Sequence, residues 1–171
     1  MLFIMRGTSC SGKDTFINDH FPDRLNVLSS DDFRQMMYGS VHEQRHNDKV
    51  FKTMYEIMEL RFQHKAEWTV LNSTNLRIRD IQKPIELCKK YHVPFTILSI
   101  QPPELEELKR RNNQRSLETG FFVPENVLER HRDRYFNALE PFIQEAANNI
   151  HCTLIEVDQD EKVLKHVYCY D

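Results

Sequence analysis

At 171 residues, 40% apolar and 29% charged, the chain has the make-up of one globular domain spanning residues 1–171, which excludes a disordered or fibrous class. Its net charge of −3 excludes a general attraction to polyanions, so any site for phosphate or nucleic acid has to be a local patch. No stretch approaches the ~20 apolar residues that span a bilayer, residues 2–5 are too short for a signal peptide, and four scattered cysteines read as reduced thiols, so a cytoplasmic protein without membrane partners is expected.

The first element is the apolar run Leu2-Phe3-Ile4-Met5, which reads as a buried strand. It leads into Gly7-Thr8-Ser9-Cys10-Ser11-Gly12-Lys13-Asp14-Thr15, and residues 16–20 then read as the start of a helix. Strand, G-x-x-x-x-G-K, helix is the context of a phosphate-binding P-loop. The glycines let the backbone bend around a phosphate with no Cβ in the way. Loop N–H groups and the helix N-terminus present partial positive charge to it, and Lys13 reaches the β- and γ-phosphates. ATP, or another nucleoside triphosphate, is the expected ligand. One position departs from the motif: a metal-binding hydroxyl is expected after the lysine, and this chain has Asp14, with Thr15 one step later.

A second strand is expected over 25–29 and a short helix over 31–38. Across their junction runs Ser29-Ser30-Asp31-Asp32-Phe33-Arg34-Gln35. A carboxylate at the end of this strand lies near the γ-phosphate end of a P-loop nucleotide, where it can accept the proton of an attacking hydroxyl. Arg34 shares a helix face with Asp31 and can bind an acceptor's phosphate or the transferring group. The plainer reading is helix capping.

A longer helix over 46–65 follows, with Val50, Met54, Ile57, Met58 and Leu60 on one face, and then a third strand over Thr69–Asn72. That strand ends in Asn72-Ser73-Thr74-Asn75, a polar cluster without an acid. It can serve phosphate or metal-bound water, or simply cap the next helix. That helix, over 78–91, contains Pro84, expected near its first turn.

A fourth strand over 94–100 precedes Pro102-Pro103 and a helix over 104–115 that ends in Lys109-Arg110-Arg111-Asn112-Asn113-Gln114-Arg115. Arg111 and Arg115 share a face and suit a lid that clamps a transferring phosphoryl group. Lys109 and Arg110 read as a solvated face, and basic residues also suit a helix C-terminus. Residues 109–124 are the expected lid, with a mobile loop over 117–123. Phe121-Phe122 within it reads as a binding feature or as a hydrophobic staple onto the next helix. From 109 to 134 basic residues outnumber acidic ones, an excess that can guide an anionic substrate. One helix over 126–147 and a last strand over Cys152–Val157 close the series, and Asp158-Gln159-Asp160 reads as a surface turn.

Strands alternating with helices give an α/β fold of P-loop NTPase type, with about five parallel strands flanked by helices and a mobile lid. Two carboxylates and an arginine beyond a P-loop, with an arginine pair on a lid, leave three function classes open. They are a kinase of a nucleic-acid end, a kinase of a small molecule such as a nucleoside, antibiotic or sugar, and a nucleotide-binding switch or weak ATPase.

These blocks, in this order and at similar spacing, resemble the kinase domain of bacteriophage-type polynucleotide kinases. The blocks are the P-loop, Asp31-Asp32-Phe33-Arg34-Gln35, Ser73-Thr74-Asn75, Arg111-Asn112-Asn113-Gln114-Arg115 and Val123-Pro124 before a helix. The resemblance implies transfer of the γ-phosphoryl group of ATP, with Mg²⁺, to a 5′-hydroxyl end of DNA or RNA, as in nucleic-acid repair. It implies that Lys13 binds phosphates, Asp31 is the general base, Arg34 binds the acceptor's 3′-side phosphate, and Arg111 and Arg115 are lid arginines. It also implies a host cell's cytoplasm if the protein is viral. Asp14 and Ser73 depart from the family pattern as an exchanged acid and hydroxyl, which makes them the candidate metal residues.

Overall fold

The computed structural model describes residues 1–21 and 23–169. In chain order the regular elements are β1 (Leu2–Arg6), α1 (Lys13–His20), β2 (Val27–Ser29), α2 (Ser30–Tyr38), α3 (Asn47–Gln63), β3 (Thr69–Asn72), α4 (Gln82–Tyr91), β4 (Phe95–Ile100), α5 (Leu105–Thr119), α6 (Glu125–Asn137), α7 (Leu139–Ala147), β5 (Cys152–Val157) and β6 (Val163–Tyr168). The six strands form one sheet in the order β2-β3-β1-β4-β5-β6, parallel except for β6. Helices cover both faces, so β4 is buried at every position. Side chains alternate across the sheet. Ile4, Leu71 and Ile97 join one apolar cluster with Met54, Met58 and Phe142, while Met5, Val70 and Leu98 join another with Ile17.

Strand order reverses at β1: the chain crosses to β2 and β3 on one side and then to β4 on the other. The crevice beyond the carboxyl ends of the strands opens at such a reversal, and here the residues that follow β1 are the P-loop. Beneath it lies a buried cation. Arg6 stacks 4.0 Å from the ring centre of Tyr135 and donates from Nη1 to Ser99 Oγ (2.8 Å) and from Nη2 to the Tyr135 carbonyl. The Tyr135 hydroxyl in turn donates to Glu156 (2.6 Å), so the relay links β1, β4, β5 and α6 and ends on an opposite charge.

The structure departs from the sequence expectations in four places. Residues 25 and 26 of the expected second strand fall in a 3₁₀ turn over Arg24–Asn26, because Asp23 accepts the Leu25 N–H and turns the chain, leaving Leu25 87% exposed. Helix α5 runs four residues beyond 115, to Gly120 in the left-handed region (φ 73°), so the expected loop over 117–123 begins as helix. The single helix expected over 126–147 is two, α6 and α7. Pro141 lacks the N–H that would bond the Asn137 carbonyl, and its ring crowds that carbonyl. The sixth strand, β6, was not expected. It is an edge strand of mixed exposure and so lacks the apolar run that marks the others. Pro84 does lie in the first turn of α4, after a 3₁₀ turn over Ile78–Ile81.

Candidate functional site

The P-loop is bent by two left-handed residues, Cys10 (φ 62°) and Gly12 (φ 97°). A Cβ at Gly7 would come within 2.7 Å of Ser11 Oγ and 3.1 Å of the Ile100 carbonyl, so the loop packs against β4 without room for a side chain. Gly12 N-caps α1 and offers no side-chain acceptor, so the first N–H groups of the helix stay available to an anion. Lys13 is buried, and its Nζ donates to the carbonyls of Gly7 (3.0 Å) and Thr8 (2.6 Å). Burial pushes its pKa down, while Asp14 and Asp31 pull it up. Ser11 Oγ is buried without a partner.

The end of β2 delivers Asp31 and Arg34. Ser29 is the N-cap of α2, accepting from the Asp32 N–H, so the capping role falls to Ser29 and leaves the Asp31 carboxylate free for the cleft. Asp31 is 56% exposed, into the crevice. The protein wall around it pushes its carboxyl above the usual carboxylate range, although Arg34 pulls it down. Arg34 is itself buried, with Nη1 on Asp31 Oδ1 and Nε donating to Asn47 Oδ1 (2.9 Å). The two residues are therefore one ion-paired unit.

From the other side come the arginines of α5. Arg111 donates to Glu107 (2.8 Å), to Gln159 Oε1 (2.7 Å) and, at 3.4 Å, to the Cys10 carbonyl of the P-loop. Arg115 lies with its guanidinium 4.5 Å from the ring centre of Phe121, and its Nε is buried without a partner. Phe121 also packs against His42 (ring centres 5.2 Å), so it belongs to the crevice wall instead of stapling α6. Phe122, 47% exposed, lines the same crevice. Much of the basic excess over 109–134 is neutralised locally: Lys109 pairs with Glu106 and Glu125, Arg110 with Glu107, and Arg132 with Glu104.

Three residues to which sequence reasoning gave no specific partner are placed here. Asn72 Nδ2 donates to Asp14 Oδ1 (2.7 Å), so the direct partner of Asp14 is Asn72, while Ser73 lines the crevice beside them. Gln159 is more than a turn residue: its amide donates to the carbonyls of Ser11 and Gln101 and closes one edge of the P-loop. Fully buried Asn112 pairs with the Val123 backbone in both directions, donating to its carbonyl (2.9 Å) and accepting its N–H (3.1 Å), which ties residues 120–124 to α5. For Asn112 a signal existed, since it falls four residues after Leu108 on the apolar stripe of α5.

Two cavities result. One, of about 410 Å³, lies over the P-loop between Phe16, Ile100, Arg111, Gln159 and Glu161. The other, of about 550 Å³, lies between Asp31, Arg34, His42, Ser73, Phe121 and His131. Cys10, Lys13, Asp14 and Arg115 line both, so the cavities meet at two cations and a carboxylate. The unpartnered Ser11 Oγ, the uncapped α1 N-terminus and the side-chain-free cradle at Gly7 fit a nucleotide's phosphates. The second oxygen of Asp14 and the Ser73 hydroxyl are hard donors of the type Mg²⁺ takes alongside water and phosphate. Among the described residues, no helix is long and apolar enough to cross a membrane.

Comparison with solved structures finds a chain of the Pnkp1/Rnl/Hen1 RNA repair complex, 24% identical, with a TM-score of 0.70 over 82% of this chain and 45% of that one. It also finds a chain of the PezAT chromosomal toxin–antitoxin system of Streptococcus pneumoniae, 12% identical (TM-score 0.66; 97% and 71% covered), and one of AvrRxo1-ORF1:-ORF2 with ATP, 15% identical (0.67; 98% and 58%). At these identities the likeness is one of fold. The chain spans less than half the length of the repair-complex chain. No curated protein matches the sequence. The profile of the AAA domain family matches residues 2–138, from β1 to just past α6 and so through the P-loop, Asp31 and both α5 arginines. The chain belongs to the AAA domain family, with a P-loop kinase-like fold.

Proposed function

We propose that the chain is an ATP- and Mg²⁺-dependent kinase that moves a γ-phosphoryl group onto a 5′-hydroxyl at the end of DNA or RNA. The observation that carries this reading is the junction of the two cavities at Lys13, Asp14 and Arg115, with Asp31 lining the second cavity and not the one over the P-loop. Phosphoryl transfer asks mainly for positioning and for charge where donor and acceptor meet. The loop N–H groups and Lys13 hold the phosphates, with Lys13 exchanging the Gly7 and Thr8 carbonyls for phosphate oxygens. Arg115 and Arg111 add positive charge at the transferring group. Asp31 accepts the proton of the attacking hydroxyl, a role its raised pKa suits. Arg34 fixes Asp31 and turns its remaining donors to the acceptor's 3′-side phosphate. Asp14 and Ser73 would hold Mg²⁺, which supplies further charge against the phosphates. Residues 109–124 act as a lid over both cavities.

A nucleic-acid acceptor is favoured over a small molecule because the acceptor cavity does not end blindly. It shares Phe51, Ser73, Thr74 and His131 with a further cavity. One fold relative comes from an RNA repair complex, in keeping with that choice. The test is incubation with γ-labelled ATP and a panel of 5′-hydroxyl oligonucleotides, nucleosides and sugars. Label on oligonucleotide ends is expected. Label confined to nucleosides or sugars would replace the acceptor, and ATP hydrolysis without labelled acceptor would replace the kinase with a switch.

A further inference from the structure

Past the acceptor cavity, the groove between α3 and α6 continues into a side cavity of about 380 Å³, within the range of small-ligand sites. Helix periodicity builds its walls. On α3, Phe51 and Tyr55 stand four apart with ring centres 6.1 Å from each other; Phe51 lines both cavities and Tyr55 the side cavity. On α6, His131 and Arg134 stand three apart; His131 lines both cavities and Arg134 the side cavity. An aromatic wall thus faces a basic one, over a floor formed by residues 73–76.

Two groups here lack partners among the described residues. His131 Nδ1 is buried with no hydrogen-bond partner. Arg134 forms no side-chain hydrogen bond or ion pair among the described residues, whereas Arg77, which lines the same cavity, is spent on Asp80 (2.9 Å). The one carboxylate in the cavity is therefore neutralised, and its free charge is the Arg134 guanidinium. Burial, with the nearby Arg134, Arg130 and Lys13, pushes His131 down to about 4, so its ring is neutral near pH 7 and holds one N–H donor and one lone pair.

We propose that the side cavity is a subsite for the second nucleotide of a single-stranded acceptor, its base against Phe51 and Tyr55, that nucleotide's own 3′-phosphate on Arg134, and His131 hydrogen-bonded between the first and second nucleotides. Stacking platforms beside a cation are how proteins hold single strands without reading sequence. The assignment rests on the reading of the acceptor cavity as a 5′-hydroxyl site.

The experiment compares a nucleoside 3′-phosphate with a dinucleotide 3′-phosphate, both 5′-hydroxyl, in the unaltered chain, Tyr55→Leu and Arg134→Gln. Phosphorylation gives kcat/KM, calorimetry gives affinity, and melting confirms the fold. The dinucleotide is expected to exceed the mononucleotide about tenfold in both. Each variant should erase that gain and leave the mononucleotide values and melting unchanged. Equal use of the two acceptors by the unaltered chain, or variants that lower both alike, would overturn the subsite while leaving the kinase standing. Should neither acceptor be phosphorylated, calorimetry decides alone. A tenfold preference lost in both variants keeps the subsite without the kinase, and equal affinities remove both.

Discussion

Asn112→Ala should release residues 120–124 from α5 at a magnitude the structure sets. Asn112 is fully buried, and Val123 is nearly so. The side chain substitutes for a neighbouring strand, meeting the Val123 carbonyl at 2.9 Å and its N–H at 3.1 Å, and it takes a further bond from Arg115 Nη2 at 3.2 Å. Alanine leaves two backbone groups unpaired, each costing about 1–3 kcal/mol if it stays dry. The segment can reach water by swinging out, so the loss shows as local opening, favoured by about 2–4 kcal/mol, or roughly 30- to 1000-fold. Hydrogen exchange at the Val123 amide should accelerate by that factor, while amides of β1 and β4 change little. Acceptor kcat/KM should fall with it, since Phe121 and Arg115 lose their anchor. Asn112→Asp keeps the acceptor but opposes a carboxylate to the Val123 carbonyl, so it should fare no better than alanine. An unchanged Val123 exchange rate in folded Asn112→Ala would refute the anchoring role.

Lys13→Ala should abolish transfer while the fold survives, and near-normal turnover would end the P-loop reading. Asp31→Asn should lower turnover by roughly 10²–10⁴-fold with little change in nucleotide affinity, whereas retained activity would move the base elsewhere. The ionised form of Asp31 is the active one and its pKa is raised, so kcat/KM should fall with decreasing pH through a limb above the ordinary carboxylate range. Arg34→Gln removes the cation that favours ionisation, so its limb should move to still higher pH and Arg34→Lys should partly restore it; a fixed limb separates Asp31 from the titration. In double-mutant cycles, Asp14→Ser should couple to Asn72→Ala, its hydrogen-bond partner, more strongly than to any Ser73 substitution. Additive losses with Asn72→Ala would dissolve that pairing.

What the sequence made legible was local. Leu2–Met5 is an uninterrupted apolar run before spaced glycines, and strand, bend and helix follow from residues next to each other. The five parallel strands were readable because strands buried on both faces need apolar sequence throughout. Edge strand β6 escaped because Val163–Tyr168 mixes exposed and half-buried positions. Pro141 and Gly120 carried their breaks in plain view, but the helical periodicity around the first and the basic run before the second outweighed them. The partners of Asp14, Arg111 and Val123 lie 58, 48 and 11 residues away, and such pairings are products of topology that no spacing rule reaches.

Arg115 belongs to both cavities, and this makes them thermodynamically dependent. Its Nε has no hydrogen-bond partner among the described residues, and its ring contact is with Phe121 in the loop held by Asn112. A ligand in either cavity that fixes this guanidinium orders a wall of the other, so the second ligand meets a surface already in place. Linkage then requires reciprocity: the factor by which a nucleotide analogue tightens acceptor binding must equal the factor by which acceptor tightens the analogue. In Arg115→Ala both factors should shrink together toward one.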